Sequence, residues 1–491
     1  MTEKIFVEKF NEAYVKVDCE PGIAYELQEY FTFTIPNAKF MPQVRNKFWD
    51  GKIRLFNVAT QRLYAGLTPY IRKFAYDRDY EVDLDDELHD DSYSVKEAYD
   101  FCKQATNLEP RDYQVEAFAH AMRTRRALLL SPTASGKSLI IYLLAKKMIE
   151  TKKKILVIVP TTSLVYQMQS DFKSYGYENN IRVIDGTQDK SWRNDIIEDI
   201  VVSTWQSIYK MPKPWFNQFK CVMGDEAHNF KSKSLTSIMT KLEDCEYRYG
   251  FTGTLDGTMT HKLVLEGLFG AVKKVTTSKE LMDKGTLADL KIKCIALSYP
   301  KSECALLKKS TYQEEMDYIV NSEARAKFIQ NLILSMKGNT LVLFQLVEKH
   351  GKVLYNNLIE QQKKDLFDRQ FFFVSGEVNA KIRENIRSVV EDEKDAVIVA
   401  SYGTFSTGIN IRNLNNIIFA SPSKSKIRVL QSIGRGLRTS DTKDKATLFD
   451  ISDDLSHGKR RNYTLQHSAE RIKYYNDEKF DYKIYQVKLN V

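Results

Sequence analysis

No run of apolar residues in this 491-residue chain approaches the roughly 20 needed to span a bilayer. The opening stretch, MTEKIFVEKFNEAY, lacks the charged-then-apolar layout of a signal peptide. Cysteine is scarce, and the six present (Cys19, Cys102, Cys221, Cys245, Cys294, Cys304) form no CxxC pair and no metal-ligand spacing. They read as reduced intracellular thiols, so a cytoplasmic location is expected and a structural metal is not. Short repeats and low-complexity segments are missing, which excludes a repeat architecture. Excess acid is also missing. The 73 Lys and Arg residues outnumber the 64 Asp and Glu, and the net charge of +9 favours a polyanionic partner such as nucleic acid over another basic protein. What is present, 43% hydrophobic and 28% charged residues, is ordinary globular material, and the length suggests about three domains.

Residues 1–91 mix short β-like runs (IFVEKF, AYVKV, KIRLF) with aromatic and basic residues and read as a small α+β domain. Its last part, DRDYEVDLDDELHDD from Asp77 to Asp91, is dense in acid and reads as an exposed connection. From residue 92 the pattern changes. ALLL, KILVIVP, DIVVST, CVMGDEAH and YGFTGT are short apolar runs between helical stretches, the mark of a parallel sheet covered on both faces. The alternation restarts near residue 291 with TLVLF, FFFVSG, AVIVAS, NIIFAS and TLFDI. The expectation is two doubly wound α/β domains, 92–290 and 291–455, followed by a basic helical tail over 456–491.

Two motifs carry the chemistry of the first of these domains. In SPTASGKS, Ser131 to Ser138, the strand ALLL feeds a turn whose backbone amides can cradle phosphate ahead of a helix N-terminus. Pro132, Thr133, Ala134, Ser135 and Gly136 form the cradle, Lys137 holds the β- and γ-phosphates of ATP, and Ser138 ligates Mg2+. Ser131 replaces the first glycine of the general pattern. The second motif, GDEAH, lies 88 residues beyond Lys137 and follows the apolar run CVM, so its carboxylates sit at a strand end. Asp225 is placed to coordinate Mg2+ and Glu226 to orient or deprotonate the attacking water; His228 fits a relay and a structural hydrogen bond equally. QSIGRGLR, from Gln431 to Arg438, is too far downstream to share that sheet, so ATP is expected in a cleft between two domains.

The ordered set resembles the superfamily 2 helicases and translocases, and over nearly the whole chain FWDGKIRLF, FVSGEV, VASYGTFSTGINIRNL and KSKIRVLQSIGRGLR resemble the recombination helicases of tailed phages. That resemblance implies two tandem RecA-like domains, with the N-terminal domain and the C-terminal tail as additions. It implies that Arg111 and Gln114 of RDYQ recognise adenine, that TGT (Thr252 to Thr254) couples hydrolysis to movement, and that Gly408 lies close to the nucleotide, with Asn410 where many relatives carry Asp. Gln431 then senses the γ-phosphate, and Arg435 and Arg438 stabilise charge on the phosphoryl group in transfer. Pro160, Thr161, Thr162, Ser203, Thr204, Thr404, Ser406 and Thr407 fall in strand-contacting motifs whose amides and hydroxyls suit phosphate and carry no sequence information. The implied activity is ATP-dependent processing of branched or partly single-stranded DNA and of RNA–DNA hybrids during phage replication, recombination and repair, in company with other replication or recombination proteins. A restriction-complex motor and an ATP-gated clamp that grips without unwinding share the same motifs. Finally, Arg45, Lys47, Lys52, Arg54, Arg62, Arg72 and Lys73 interleave with Phe48, Trp49, Phe56 and Tyr64. This composition suits either junction binding or, for the aromatics, the core of a small domain.

Overall fold

The computed structural model describes residues 3–36, 38–365, 368–408, 411, 413–437 and 445–489. The chain divides into two compact units, one of Met1–Ser131 with Gly136–Thr276 and the other of Pro132–Ser135 with Thr277–Val491. Among the described residues no helix is long and apolar enough to cross a membrane.

The first unit opens with strands β1 (Lys4–Lys9), β2 (Tyr14–Asp18), β3 (Thr32–Thr34), β4 (Lys52–Arg54), β5 (Arg62–Tyr64) and β6 (Glu81–Leu84). Four of these form a sheet in the order β5-β2-β1-β6, while β3 and β4 make a separate antiparallel ribbon. Ile5 and Val7 on β1, and Val15 and Val17 on β2, alternate inward. They share a core with Ile23 and Leu27 of the helix Pro21–Tyr30 and with Ile71 and Phe74 of the helix Thr68–Tyr76. The acid-dense stretch 77–91, expected to be a bare connection, contains β6, which runs parallel to β1 with Lys4 opposite Glu81. Val82 and Leu84 alternate with Glu81 and Asp83, a period-two signal hidden by the surrounding charge.

The rest of this unit is a seven-stranded sheet of β7 (Arg126–Leu130), β8 (Lys154–Val159), β9 (Arg182–Ile184), β10 (Ile200–Thr204), β11 (Phe219–Asp225), β12 (Tyr247–Thr252) and β13 (Val272–Lys274). Its order is β13-β7-β12-β11-β8-β10-β9, and every pairing is parallel. The fully apolar runs follow from helices on both faces.

The small domain is fused to this sheet. One apolar core runs from Ile5 to Phe269 across both parts. Arg126 at the start of β7 donates to the backbone oxygen of Glu12 and, at 2.7 Å, to its carboxylate. Burial raises the Glu12 pKa, but Arg126 and Lys9 outweigh this and hold it below the usual glutamate value. The Tyr70 hydroxyl donates to Glu266 Oε2 at 2.7 Å. Gly66 lies so close that a Cβ there would fall 2.0 Å from the Glu266 carbonyl oxygen.

The second unit begins at Thr277, ahead of residue 291, where the apolar alternation restarts. Its sheet comprises β14 (Asp289–Ser298), β15 (Thr340–Phe344), β16 (Phe371–Val374), β17 (Val397–Ser401), β18 (Asn416–Phe419), β19 (Lys445–Asp454) and β20 (Tyr482–Lys488) in the order β16-β17-β15-β18-β19-β14-β20. All its pairings are parallel. The C-terminal segment is therefore a helix, Tyr463–Asp477, followed by an edge strand that pairs with β14, Ile292 opposite Tyr482. Arg471 on that helix is fully buried and pairs with Asp450 of β19 at 2.7 Å, and the Tyr475 hydroxyl donates to the same carboxylate. A second buried pair, Arg325 with Asp453 at 2.7 Å, closes the same region.

Candidate active site

Strand β7 delivers the chain into the phosphate-loop turn, and the helix Lys137–Glu150 leaves it. Ala134 (φ 63°) and Gly136 (φ 78°) are the left-handed residues of the turn. Ser131 is not among them, which removes the need for a glycine at that position. Its backbone N–H instead donates to the Thr252 carbonyl at 2.8 Å, tying the turn to the end of β12. Gly136 is required by its surroundings as well as by its φ, since a Cβ would stand 2.3 Å from Gln114 Nε2. Gln114 is buried against the turn and accepts the Arg111 backbone N–H at 2.9 Å. The Arg111 guanidinium donates to the Tyr113 hydroxyl at 2.8 Å. Gln114 is thereby set beside the phosphate loop, and Arg111 is tied to it through the backbone and to Tyr113 through the side chain.

Asp225 ends β11, and Glu226, at φ 49°, turns the chain sharply. Lys137 Nζ lies 3.4 Å from Glu226 Oε1 and 3.7 Å from Asp225 Oδ1. Burial raises the Asp225 pKa, Glu226 adds to the rise, and Lys137 opposes it. His228 Nδ1 lies 3.0 Å from the Thr252 hydroxyl and 3.4 Å from Glu226 Oε2, with its pKa lowered chiefly by burial. Thr252 in turn donates to the Thr254 carbonyl at 2.9 Å. The carboxylate motif and TGT are thus joined side chain to side chain. Lys231 extends the join, reaching Asp256 beyond TGT at 2.6 Å, where Asp256 also meets His261. The spacing of residues in the sequence carries no sign of this second bridge. Ser138 Oγ lies 2.7 Å from the Tyr175 hydroxyl, another contact without a sequence signal.

The expected strand contacts fall into two classes. Pro160, Thr161 and Thr162 are half-buried at the C-terminal end of β8, where Thr161 caps the helix Thr162–Ser174 by accepting the Leu164 N–H. Ser203 and Thr204 are buried, their hydroxyls committed to the Thr204 carbonyl and to Ser207 Oγ. In a parallel strand buried on both faces, hydroxyls have nowhere else to point.

Three family models match the chain: "DNA helicase UvsW, N-terminal" over residues 4–85, "Type III restriction enzyme, res subunit" over 107–257 and "Helicase conserved C-terminal domain" over 324–440. The ATP-dependent DNA helicase uvsW of Enterobacteria phage T4 is 36% identical, with 100% of both chains covered. The chain belongs to the UvsW family of superfamily 2 DNA helicases. The crystal structure of T4 UvsW agrees, at 34% identity and a TM-score of 0.52 over 99% of this chain and 100% of that one. A DNA 3'-5' translocase, XPB2 of Sulfurisphaera tokodaii, is 24% identical over 78% of this chain and 88% of its own length. The putative HsdR subunit of a type I restriction enzyme from Vibrio vulnificus shares the fold, with a TM-score of 0.58 at 17% identity over 85% of this chain and 74% of that one.

In this UvsW-family chain the remaining expected residues that are described lie on two helices of the second unit. Thr404, Ser406, Thr407 and Gly408 are on Tyr402–Gly408, which follows β17. The Thr404 hydroxyl is buried and within 2.8 Å of Ser401 Oγ. Ser406, Thr407 and Gly408 are described by their backbone alone. Gln431 and Arg435 sit one turn apart on the helix Lys426–Gly436. The Arg435 side chain, Arg438 and Asn410 lie outside the described residues. Of the N-terminal basic and aromatic stretch, Phe56 is core (1% exposed) and Tyr64 stacks on Tyr14. Phe48, 84% exposed, is not core, nor is Phe40, 67% exposed; both flank the β3–β4 ribbon together with exposed Lys39, Arg45, Lys47 and Lys52.

Proposed function

We propose that this chain hydrolyses ATP to drive itself along DNA, migrating branches and remodelling forks, and that it also separates RNA–DNA hybrids during phage replication, recombination and repair. One observation carries the reading: in a chain of the UvsW family, Lys137 stands between Asp225 and Glu226 at the mouth of a phosphate loop. A cation within reach of two carboxylates at the mouth of such a loop is placed to meet the β- and γ-phosphates. Arg111 and Gln114 take the adenine, and the 132–136 turn cradles phosphate with its amides. Ser138 and Asp225 offer hard oxygen donors that fit Mg2+, an ion that takes one or two protein ligands and completes its shell with water and phosphate. When bound it neutralises charge on the phosphates. Glu226 orients the attacking water, Gln431 senses the γ-phosphate, and Arg435 and Arg438 stabilise the charge that develops. The Thr252 to His228 contact passes the change at Glu226 to TGT.

Pro160, Thr161, Thr162 and the 404–407 helix, with Gly408 toward the nucleotide, are the candidate contacts to the strand backbone; Ser203 and Thr204, buried with their hydroxyls bonded internally, are weaker candidates for that role. The exposed rings of Phe40 and Phe48, set among lysines and Arg45, suit unpaired bases at a junction, with the charges on phosphate. The site of action is the host cytoplasm, alongside other replication or recombination proteins. Strand displacement on a three-way or four-way DNA junction tests the reading. Displacement is expected with ATP and not with a non-hydrolysable analogue, and nucleotide-dependent junction binding with no displacement in either case would make the protein an ATP-gated clamp instead.

A further inference from the structure

Tyr175 belongs to no phosphate-loop pattern. It caps the C-terminal end of the helix Thr162–Ser174, and its ring packs at 5.5 Å on Tyr142, which in turn meets Phe172 edge-on at 5.4 Å. This half-buried packing holds the phenol in place, so the hydroxyl meets Ser138 Oγ at 2.7 Å by design of the core and not by chance of a mobile side chain. A serine oxygen that gives its lone pairs to a cation must turn its proton away, and that proton then needs an acceptor. Acceptors behind a ligand fix its rotamer and raise its basicity. The Tyr175 oxygen lies at hydrogen-bond distance from Ser138 Oγ, and a phenol oxygen can accept that proton.

We propose that Tyr175 is a positioning residue for Ser138: it accepts the serine proton, turns the serine oxygen toward Mg2+, and ties the metal site to the helix that starts at Thr161. This rests on the reading of Ser138 as a metal ligand given above. The helix is 13 residues long, which makes it a rod of about 20 Å. Thr161 caps one end and Tyr175 the other. A strand that seats on Thr161 and Thr162 therefore acts on Ser138 through a rigid element.

The test is equilibrium binding of a fluorescent, non-hydrolysable ATP analogue to the full chain, titrated with Mg2+. Tyr175→Phe removes one oxygen and keeps the ring. Its affinity for the analogue without Mg2+ should match wild type, while the Mg2+ concentration for half-maximal effect should rise on the order of tenfold. Ser138→Ala sets the full size of the effect. Tyr142→Phe removes the neighbouring hydroxyl, which donates to the Ala105 carbonyl at 2.9 Å, and should leave the Mg2+ curve at its wild-type position. A Tyr175→Phe curve that overlays wild type while Ser138→Ala is displaced overturns the role of Tyr175 and leaves Ser138 as the ligand. A Ser138→Ala curve that overlays wild type removes the metal reading itself. Equal displacement in Tyr142→Phe and Tyr175→Phe means loosened helix packing and also overturns the proposal.

Discussion

Lys137 sits where two carboxylates compete for one cation, 3.4 Å from Glu226 and 3.7 Å from Asp225. Lys137→Met keeps the length of the side chain and removes its charge. Folding should survive, because the carboxyl of Asp225, already raised by burial, can take up a proton once its counter-ion is gone. Hydrolysis should not survive: loss of a positioned charge on the transferring group costs about a hundredfold to a thousandfold. Steady-state phosphate release, with circular dichroism as the folding control, checks this, and turnover within a few-fold of wild type would remove Lys137 from the site. These three residues are legible in the sequence because a strand, a tight turn and a helix start leave a fixed linear pattern. The Ser138 to Tyr175 contact is not legible, since it depends on how two helices cross. Nor is the inward turn of Ser203 and Thr204, because a hydroxyl motif looks the same whichever way its strand faces.

At the scale of elements, the alternating apolar runs revealed both parallel sheets, while charge concealed two strands. Strand β6 lies inside an acidic stretch, and β20 alternates Tyr482, Ile484 and Gln486 with Lys483 and Tyr485 in a segment read as a helical tail. The fusion of the small domain to the first sheet was also out of reach, since a shared core has no linear signature. Gly66 is where that fusion is tightest. Its added Cβ would meet the Glu266 carbonyl oxygen at 2.0 Å, the Gly267 oxygen at 2.8 Å and the Gly270 nitrogen at 2.9 Å, all backbone atoms that cannot swing aside. Gly66→Ala should therefore cost at least about 1–3 kcal/mol, the usual range for overpacking. It should also lower activity on branched DNA more than it lowers ATP hydrolysis, because it shifts the small domain against an intact phosphate loop. Gly22→Ala, where a Cβ meets nothing within 4 Å, is the matched control. Thermal melts that show no difference between the two variants would mean the small domain is loosely attached.

Across the whole molecule the histidines set a common sensitivity to acid. Of the seven, His120, His228, His350 and His467 have lowered pKa values, and burial is the first cause in each. His350 is pushed down to about 3 and His467 to about 4, from an ordinary 6.5. Each is harder to protonate in the folded chain than in the unfolded one, so below about pH 6.5 the unfolded state binds more protons and stability falls as pH falls. For His350 the loss begins at the unfolded value and continues down to the folded one, at about 1.4 kcal/mol per pH unit. The paired carboxylates work in a lower window. Glu12 and Asp256 are held below their ordinary values, so their contribution is present above the unfolded carboxyl range and is lost only as pH drops through it. Melting temperature should thus decline between pH 6.5 and 5, above the range in which Glu12 and Asp256 lose their contribution. His350 Nδ1 lies 2.9 Å from Ser421 Oγ, and His350→Asn can keep a hydrogen bond there without the titration. That variant should start less stable at pH 7.5, since a packed ring is lost, yet decline less steeply with acid, by roughly one proton in the slope. The slope, not the starting value, is the measurement that decides. Parallel curves for variant and wild type between pH 5 and 6.5 would mean that His350 is protonated in the fold and that its burial does not govern its charge.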